Sequence, residues 1–177
     1  MLRRRPDEQM GPGAGRGGRY LMRQKLLALG DDYYIENALG QRIYFVDGKA
    51  FRLREHLAFK DMQGHELLAI QERVLPLKDT YSIYRQGQVL ATVKKALIAP
   101  FRQRFDIHVA GGDTLEAQGN ILEHEYEIRD GRRRVAEVSK KWFRVADTYG
   151  VEIAPGADDI LLLACTAVID MMTAEGR

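Results

Sequence analysis

One stretch of the chain, residues 160–169, limits the possible folds more than any other. It reads ILLLACTAVI and holds no charged residue until Asp170 follows it. Asp158 and Asp159 come just before it and suit a helix N-terminus, where acidic side chains cap free N–H groups. A helix that is apolar on all sides must be buried in protein or lie in a membrane. Ten residues fall well short of the roughly 20 that span a bilayer.

The chain therefore predicts a short helix that is buried on every side. Its predicted core positions are Ile160, Leu161, Leu162, Leu163, Cys165, Val168 and Ile169. The rest of the chain must then form a shell around this helix, because each of these side chains needs an apolar partner.

The remainder of the chain has the pattern of an antiparallel β-meander. Glycine-centred turn signals recur at residues 30–32, 39–40, 47–48, 63–64, 86–87, 111–112, 119–120 and 130–131. Runs rich in β-branched and aromatic residues lie between them, at 33–36, 42–46, 81–85, 89–94 and 123–129. In the last run His124, Tyr126 and Ile128 would share one face and three glutamates the other. Many short strands with no long helices between them favour an all-β domain.

About a dozen strands and one apolar helix have a simple joint solution. Closing the sheet into a barrel removes its edges, and a barrel wider than eight strands needs more than its own side chains to fill it. We therefore predict a mainly β fold, a closed barrel of roughly twelve antiparallel strands around a buried hydrophobic C-terminal helix. A β-sandwich with the helix at its edge fits the same strand list.

Residues 1–19 differ from the rest in composition and charge. They contain five arginines, two acidic residues and many glycines, with little apolar material, and cannot bury enough surface to offset the entropy of ordering. We predict a flexible basic tail at 1–19 and one barrel domain at 20–177. Because the formal net charge of the whole chain is only +2, the domain itself is close to neutral, which disfavours specific nucleic-acid binding.

The single cysteine, Cys165, excludes an intramolecular disulfide and favours a reducing compartment. The N-terminal residues lack the apolar stretch of a cleaved secretory signal. We therefore expect a cytoplasmic protein without a transmembrane span.

No arrangement of residues in the sequence points to catalysis or to a bound metal. The histidines His56, His65, His108 and His124 are scattered and lack the spacing of a zinc site. Neither a Gly-x-Ser-x-Gly elbow nor a phosphate-binding glycine loop between a strand and a helix occurs. We predict no catalytic residues, no metal ligands and no cofactor, and expect a protein that is not an enzyme.

Basic residues beside aromatic ones are the strongest candidates for a binding site. Lysine and arginine suit phosphate oxygens, and tryptophan suits a membrane interface. The candidates for an anionic headgroup site are Lys94, Lys95, Arg102, Arg104, Lys140, Lys141 and Arg144. The alternative is structural. Neighbouring residues on a strand point to opposite faces, so one of each pair would be solvated while Trp142 packs in the barrel wall.

A series of short motifs runs along the chain between residues 20 and 172. They are MRQK at 22–25, GDD at 30–32, VDGKAF at 46–51, TYSIY at 80–84, GN at 119–120, VSKKWF at 138–143, DTYGVE at 147–152 and VID at 168–170. In this order and spacing they resemble the LURP-one-related family, part of the tubby C-terminal-like superfamily that also includes the phospholipid scramblases. The resemblance implies a roughly twelve-stranded barrel that encloses a C-terminal helix.

The resemblance implies little about activity, since most members of the family have none assigned. Tubby-like relatives are associated with phosphoinositide headgroups and reversible membrane attachment, and scramblase-like relatives with lipid membranes. The chain lacks the proline-rich tail, cysteine cluster and calcium loop of the scramblases, so scramblase activity is not expected. We expect a binding module that attaches peripherally to anionic membrane lipid. A regulatory or scaffold protein that binds another protein, with no lipid role, is the alternative.

Overall fold

The computed structural model describes residues 15–23, 33–48, 56–73, 80–96, 103–143 and 148–175. Its strands are Gly18–Arg23 (β1), Tyr33–Asn37 (β2), Arg42–Asp47 (β3), Leu57–Asp61 (β4), Glu66–Glu72 (β5), Thr80–Arg85 (β6), Gln88–Ala96 (β7), Arg104–Val109 (β8), Thr114–Asn120 (β9), Glu125–Asp130 (β10), Arg133–Ser139 (β11) and Thr148–Ile153 (β12). They follow one another around a closed antiparallel barrel, and β12 pairs with β1 to complete it, with Tyr20 opposite Val151. The predicted barrel is confirmed, and the β-sandwich is wrong.

One helix, Asp159–Glu175 (α1), fills the barrel, and its residues 160–169 are all buried. A twelve-stranded barrel is too wide for its own side chains to fill, so the helix supplies the missing core. The start of α1 is fixed by Asp158, because the Leu161 N–H donates a hydrogen bond to Asp158 Oδ1 at 3.0 Å. The Arg85 guanidinium donates to the other carboxylate oxygen at 2.9 Å and ties this cap to the barrel.

The two ends of the barrel are built differently. Short turns at residues 38–41, 62–65, 86–87, 110–113 and 131–132 join pairs of strands at one end, which we call the lower end. The odd-numbered strands finish at the opposite end, which we call the upper end. Because β12 finishes at the lower end, α1 starts there and runs towards the upper end.

Two 3₁₀ turns at the upper end replace predicted strand. Ile121–Glu123 forms the first, which we call the Leu122 turn, so β10 begins two residues later than predicted. Lys140–Trp142 forms the second, the Trp142 turn, so its lysines do not alternate across a strand. Local geometry ends the ladder in each place. His124 has a left-handed φ of 53°, and the Ser139 hydroxyl accepts a hydrogen bond from the Lys141 N–H at 3.1 Å.

Two predicted turns do not reverse the chain. Gly119 lies inside β9 with a φ of 141°, and a Cβ there would come within 2.8 Å of Tyr126 Cα. The glycine allows β10 to approach β9 closely. No tight hairpin forms at 47–48, since Asp47 is the last residue of β3 and lies opposite Ala58 of β4, eleven residues further along the chain. The turn predicted at 30–32 lies outside the described residues.

The predicted boundary of the N-terminal tail is two residues too late. β1 begins at Gly18 and pairs with β12, and Arg19 forms an ion pair with Glu152 on that strand. These cross-strand contacts outweigh the glycine-rich composition that suggested a tail. Residues 1–14 lie outside the described residues, so a flexible tail there stays a prediction.

A buried carboxylate lies at the lower end, where α1 starts. Asp159 is buried, and the Tyr20 hydroxyl donates a hydrogen bond to it. Burial raises the pKa of the Asp159 carboxyl, and the Tyr20 hydrogen bond offsets part of that rise. Burial and the charge of Asp159 also raise the pKa of Tyr44 to about 12. The folded protein therefore holds the Asp159 proton more tightly than the unfolded chain does.

This difference makes part of the stability depend on pH. The carboxyl of an unfolded aspartate titrates near pH ~4. The contribution of Asp159 is thus fully present below that pH and is lost as the pH rises through the raised folded pKa. We expect the free energy of unfolding of the wild type, measured relative to that of Asp159→Asn, to fall as the pH rises from about 4. Urea unfolding at a series of pH values tests this, and a difference that stays constant with pH would contradict it.

Candidate functional site

The basic residues predicted to bind anions lie at the upper end of the barrel. Those in the described part of the chain are Lys94, Lys95, Arg104, Lys140 and Lys141, while Arg102 and Arg144 lie outside it. Two of them stand near the last residue of β7, one begins β8, and two follow directly after β11. The up-and-down topology brings all five to the same end because each lies where an odd-numbered strand finishes or the next strand begins.

The two lysines of β7 point to opposite faces of the barrel wall. Lys94 is directly opposite Asp106 of β8, and Lys95 is opposite Phe105, whose side chain is fully buried. Residues directly opposite in an antiparallel pair share a face, so Lys94 lies on the outer face and Lys95 on the inner face. Neither lysine forms an ion pair with another described residue. Lys94 is therefore a cation of the outer surface, and Lys95 lies on the inner face near the upper mouth of the barrel.

Arg104 is held by carboxylates of its own sheet. Its Nε donates to Asp106 Oδ1 at 2.9 Å, and its guanidinium lies 3.8 Å from Glu116 Oε1 on β9. The hydrogen bond to Asp106 raises the pKa of Arg104 further above its ordinary value. An arginine satisfied in this way gives up an existing partner when it binds an external anion.

The lysines of the Trp142 turn lie close to two glutamates. Lys140 Nζ is 3.8 Å from Glu123 Oε2, and Lys141 Nζ is 3.6 Å from Glu125 Oε2. Glu125 also accepts hydrogen bonds from the Ser139 hydroxyl at 2.9 Å and from the Lys140 N–H at 3.1 Å. Glu125 therefore anchors the turn, while the side chain of Lys141 remains 81% exposed.

Trp142 does not pack inside the barrel wall, where the structural alternative placed it. Its ring lies over the outer face of β12 at Gly150, where a Cβ would come within 2.7 Å of both Trp142 and Phe143. The Arg19 guanidinium lies over the Trp142 ring, 4.8 Å from its centre. The indole thus packs against the outside of the sheet and is half-buried.

Leu122 is an exposed apolar residue beside these lysines. It is 39% exposed, whereas its neighbour Ile121 is buried. The Lys140–Glu123 pair links the Leu122 turn to the Trp142 turn. Nothing in the sequence pattern marked Leu122, which lies between the predicted turn at 119–120 and the strand-like run at 123–129.

The basic residues form two groups and do not converge on one pocket. Lys94, Lys95 and Arg104 stand on β7 and β8, and the lysines of the Trp142 turn follow β11. From β8 to β11 is three strand spacings, or roughly 14 Å. A single small headgroup cannot contact both groups at once across that distance.

A polar cleft of about 1070 Å³ lies between the two groups, over β8–β11. Its charged lining residues are Arg104, Glu125, Glu127, Arg129 and Glu137. Most of these charges pair with other residues of the sheet, and Arg129 Nη1 lies 2.5 Å from Glu127 Oε2. The cleft is therefore of mixed charge and lacks the basic lining that a phosphorylated ligand requires.

A buried polar network under the upper end was not predicted from the sequence. The His124 and Asp170 side chains hydrogen-bond at 2.5 Å, and the Tyr149 hydroxyl donates to the other Asp170 oxygen at 2.7 Å. The rings of His124 and Tyr149 stack with their centres 4.4 Å apart. Burial raises the pKa of Asp170, and the hydrogen bond from His124 offsets part of that rise. One indication of it was present in the sequence, since Asp170 ends the apolar run 160–169 and a buried carboxylate needs a polar partner.

Two further features of the described part of the chain concern metal binding and the single cysteine. It contains no group of three or more histidine, cysteine or carboxylate side chains that is able to hold a metal ion. The thiol of Cys165 is fully buried in α1, and burial raises its pKa. Among the described residues, no helix is long and apolar enough to cross a bilayer.

Comparison with known proteins agrees with the fold. The model of the LURP-one-related family matches residues 19–170. The uncharacterized protein YxjI of Bacillus subtilis is 28% identical over 151 residues, which are 85% of this chain and 91% of YxjI. An X-ray structure of an Arabidopsis thaliana protein superposes with a TM-score of 0.65 at 17% identity, covering 93% of this chain and 94% of that one. The chain belongs to the LURP-one-related family.

Proposed function

We propose that the protein is a non-enzymatic binding module that attaches peripherally, through its upper end, to a membrane surface rich in anionic lipid. The observation that carries this proposal is the position of the basic residues. The five predicted anion-site residues in the described part of the chain, Lys94, Lys95, Arg104, Lys140 and Lys141, all lie at the upper end of the barrel. The proposal places the protein in the cytoplasm, at the inner face of a membrane, where the surface potential attracts cations.

The separation of the two basic groups favours a surface over a single bound headgroup. A flat anionic bilayer contacts the β7–β8 group and the Trp142 turn together, across the roughly 14 Å between them. A lone phosphoinositide headgroup would reach one group or the other. Because the cleft between the two groups is of mixed charge, the bilayer would contact the protein mainly at the basic groups on either side of the cleft.

The ion pairs of the lysines do not oppose this proposal strongly. Surface ion pairs at such distances contribute only about 0–1 kcal/mol, so Lys140 and Lys141 exchange a glutamate for a lipid phosphate at little cost. Each cation near an anionic leaflet gains about 1 kcal/mol. The exchange is therefore favourable at low ionic strength and weakens as salt screens it.

A protein partner is the second candidate, and the cleft favours it. Its charged lining consists of two arginines and three glutamates, which matches a polar protein surface better than a uniformly anionic one. A regulatory or scaffold role through this cleft would need no lipid. Capture of a stoichiometric partner, together with no retention on vesicles, would favour this candidate.

The lysines of the Trp142 turn give the first test. We expect Lys140→Ala/Lys141→Ala to weaken binding to vesicles containing phosphatidylserine at low salt by about 2 kcal/mol, or roughly 30-fold, because two near-surface charges are removed. Sedimentation with vesicles at low and high salt measures the bound fraction. Vesicles of phosphatidylcholine alone should retain neither protein.

A matched control removes the same charge from the opposite end. Arg132 and Arg133 lie at the β10–β11 turn of the lower end, and both are exposed. Arg132→Ala/Arg133→Ala should bind vesicles as the wild type does. Equal losses in the two double variants would mean that total charge matters and the upper end does not. Absence of wild-type binding at low salt would reject the lipid proposal.

A further inference from the structure

We infer that the upper rim formed by the Leu122 and Trp142 turns is a bilayer-insertion edge, in which Leu122 enters the apolar boundary of the membrane and Trp142 lies at the headgroup level. This inference rests on the proposed membrane attachment and goes beyond it. It names the bilayer itself, not a soluble polyanion, as the partner of this surface.

Leu122 is an apolar side chain that the Leu122 turn leaves exposed to solvent. The Leu122 turn buries Ile121 against the core and directs the next side chain outward, leaving Leu122 39% exposed. Transfer of an exposed leucine side chain from water to an apolar environment lowers the free energy. A short turn at the end of a barrel is able to enter a membrane boundary without moving the strands behind it.

The lysines of the Trp142 turn lie beside the Leu122 turn. Lys140 Nζ lies 3.8 Å from Glu123 Oε2, so the Trp142 turn and the Leu122 turn lie side by side at the upper end. Apolar side chains flanked by lysine are typical of segments that lie in the membrane interface, because charge attracts the segment and apolar burial holds it. Long lysine side chains keep their ammonium groups at the phosphates while the turn goes deeper.

The Trp142 ring is held in place by contacts on both sides. Its ring packs against the strand at Gly150, lies under the Arg19 guanidinium and remains half-buried. Tryptophan is enriched at the headgroup level of membranes, where an amphipathic ring is partly wet. A ring fixed in this way costs little further entropy when it meets the interface.

Other exposed apolar residues lie at the opposite end and provide controls. Among the described residues, the remaining large exposed apolar side chains are Leu39, Met62 and Val89, all at the lower end. Asp61, which pairs with His65 at 2.9 Å, directly precedes Met62, and the exposed Arg42 lies three residues after Leu39. Because Leu39, Met62 and Val89 lie at the end of the barrel opposite the Leu122 and Trp142 turns, they serve to test the direction of docking.

Fluorescence offers a direct readout, since Trp142 is the only tryptophan of the chain. We expect its emission to shift to shorter wavelength on adding phosphatidylserine-containing vesicles, and to be quenched when the acyl chains carry bromine. Inositol hexakisphosphate, a soluble polyanion, should cause neither change. An unshifted emission with full sedimentation would overturn insertion and leave attachment by charge in place.

Substitution of Leu122 completes the test. Leu122→Ser should weaken vesicle binding about fivefold, as expected from the apolar surface that the exposed part of a leucine removes from water, and the loss should persist at high salt. Leu39→Ser, the matched control, should bind as the wild type does. A loss with Leu39→Ser but not Leu122→Ser would reverse the docking direction and overturn the inference. A loss of inositol hexakisphosphate binding by Leu122→Ser would also overturn it. If the wild type fails to sediment with vesicles at all, the proposed function falls first.

Discussion

Leu162→Asp is expected to yield no folded protein. Leu162 lies in α1 at the centre of the barrel and is buried. An unpaired carboxylate there costs several kcal/mol, and the lost leucine packing costs a further 2–5 kcal/mol or so. Against a total stability of about 5–15 kcal/mol, the sum removes most or all of the folded population.

The same substitution at an exposed site provides the control. Leu39 is 81% exposed in the turn between β2 and β3, and Leu39→Asp should change the free energy of unfolding by no more than about 0.5 kcal/mol. Soluble yield, size-exclusion elution and far-UV circular dichroism compare the two variants. A soluble, β-rich Leu162→Asp protein that elutes as the wild type does would contradict a core built around α1.

The barrel follows from the sequence because two of its features leave few alternatives. The apolar run at 160–169 has no polar face, and only a shell on all sides satisfies it. Turn signals at residues such as 63–64 and 130–131 mark hairpins of the lower end, where tight turns demand particular residues. Strand periodicity and tight turns depend on residues that are close together in the chain, so both can be predicted from the sequence.

The structure of the upper end is harder to predict from the sequence, because it depends on contacts between residues that are far apart in the chain. The Trp142 turn follows a strand-like run, and it leaves the ladder since Glu125 anchors it through Ser139. The sequence around Gly119 predicts a turn, but Gly119 lies inside β9, where the absence of a side chain allows Tyr126 of the next strand to approach closely. The identity of the basic residues was predictable, while their division into two groups required the topology.

The least predictable feature joins three elements that lie far apart in sequence. His124 follows β9, Tyr149 belongs to β12, and Asp170 is near the end of α1. The inward direction of His124 follows from the strand alternation, but its left-handed φ of 53° and its meeting with Asp170 do not. Such a network depends on the helix register inside the barrel, which no local pattern specifies.

Asp170→Ala should therefore destabilise the protein by about 3–5 kcal/mol, because removing one member of a buried hydrogen-bonded pair leaves its partners unsatisfied. Both the His124 ring and the Tyr149 hydroxyl would lose the acceptor that Asp170 supplies. For a domain of this size, the loss corresponds to a fall in Tm of roughly 10 °C. Thermal and urea unfolding of the two proteins measure it.

Tyr149→Phe separates this network effect from simple loss of one hydrogen bond. It removes a single donor and keeps the His124–Asp170 pair, so the expected cost is only about 1 kcal/mol. Hydrogen exchange adds a local readout. In Asp170→Ala the amides of β12 near Thr148 and the start of β10 should lose protection, while the lower end, capped by Asp158 and Arg85, keeps it. Uniform loss of protection, or a stability equal to that of the wild type, would mean that the network does not hold the upper end of α1 to the barrel.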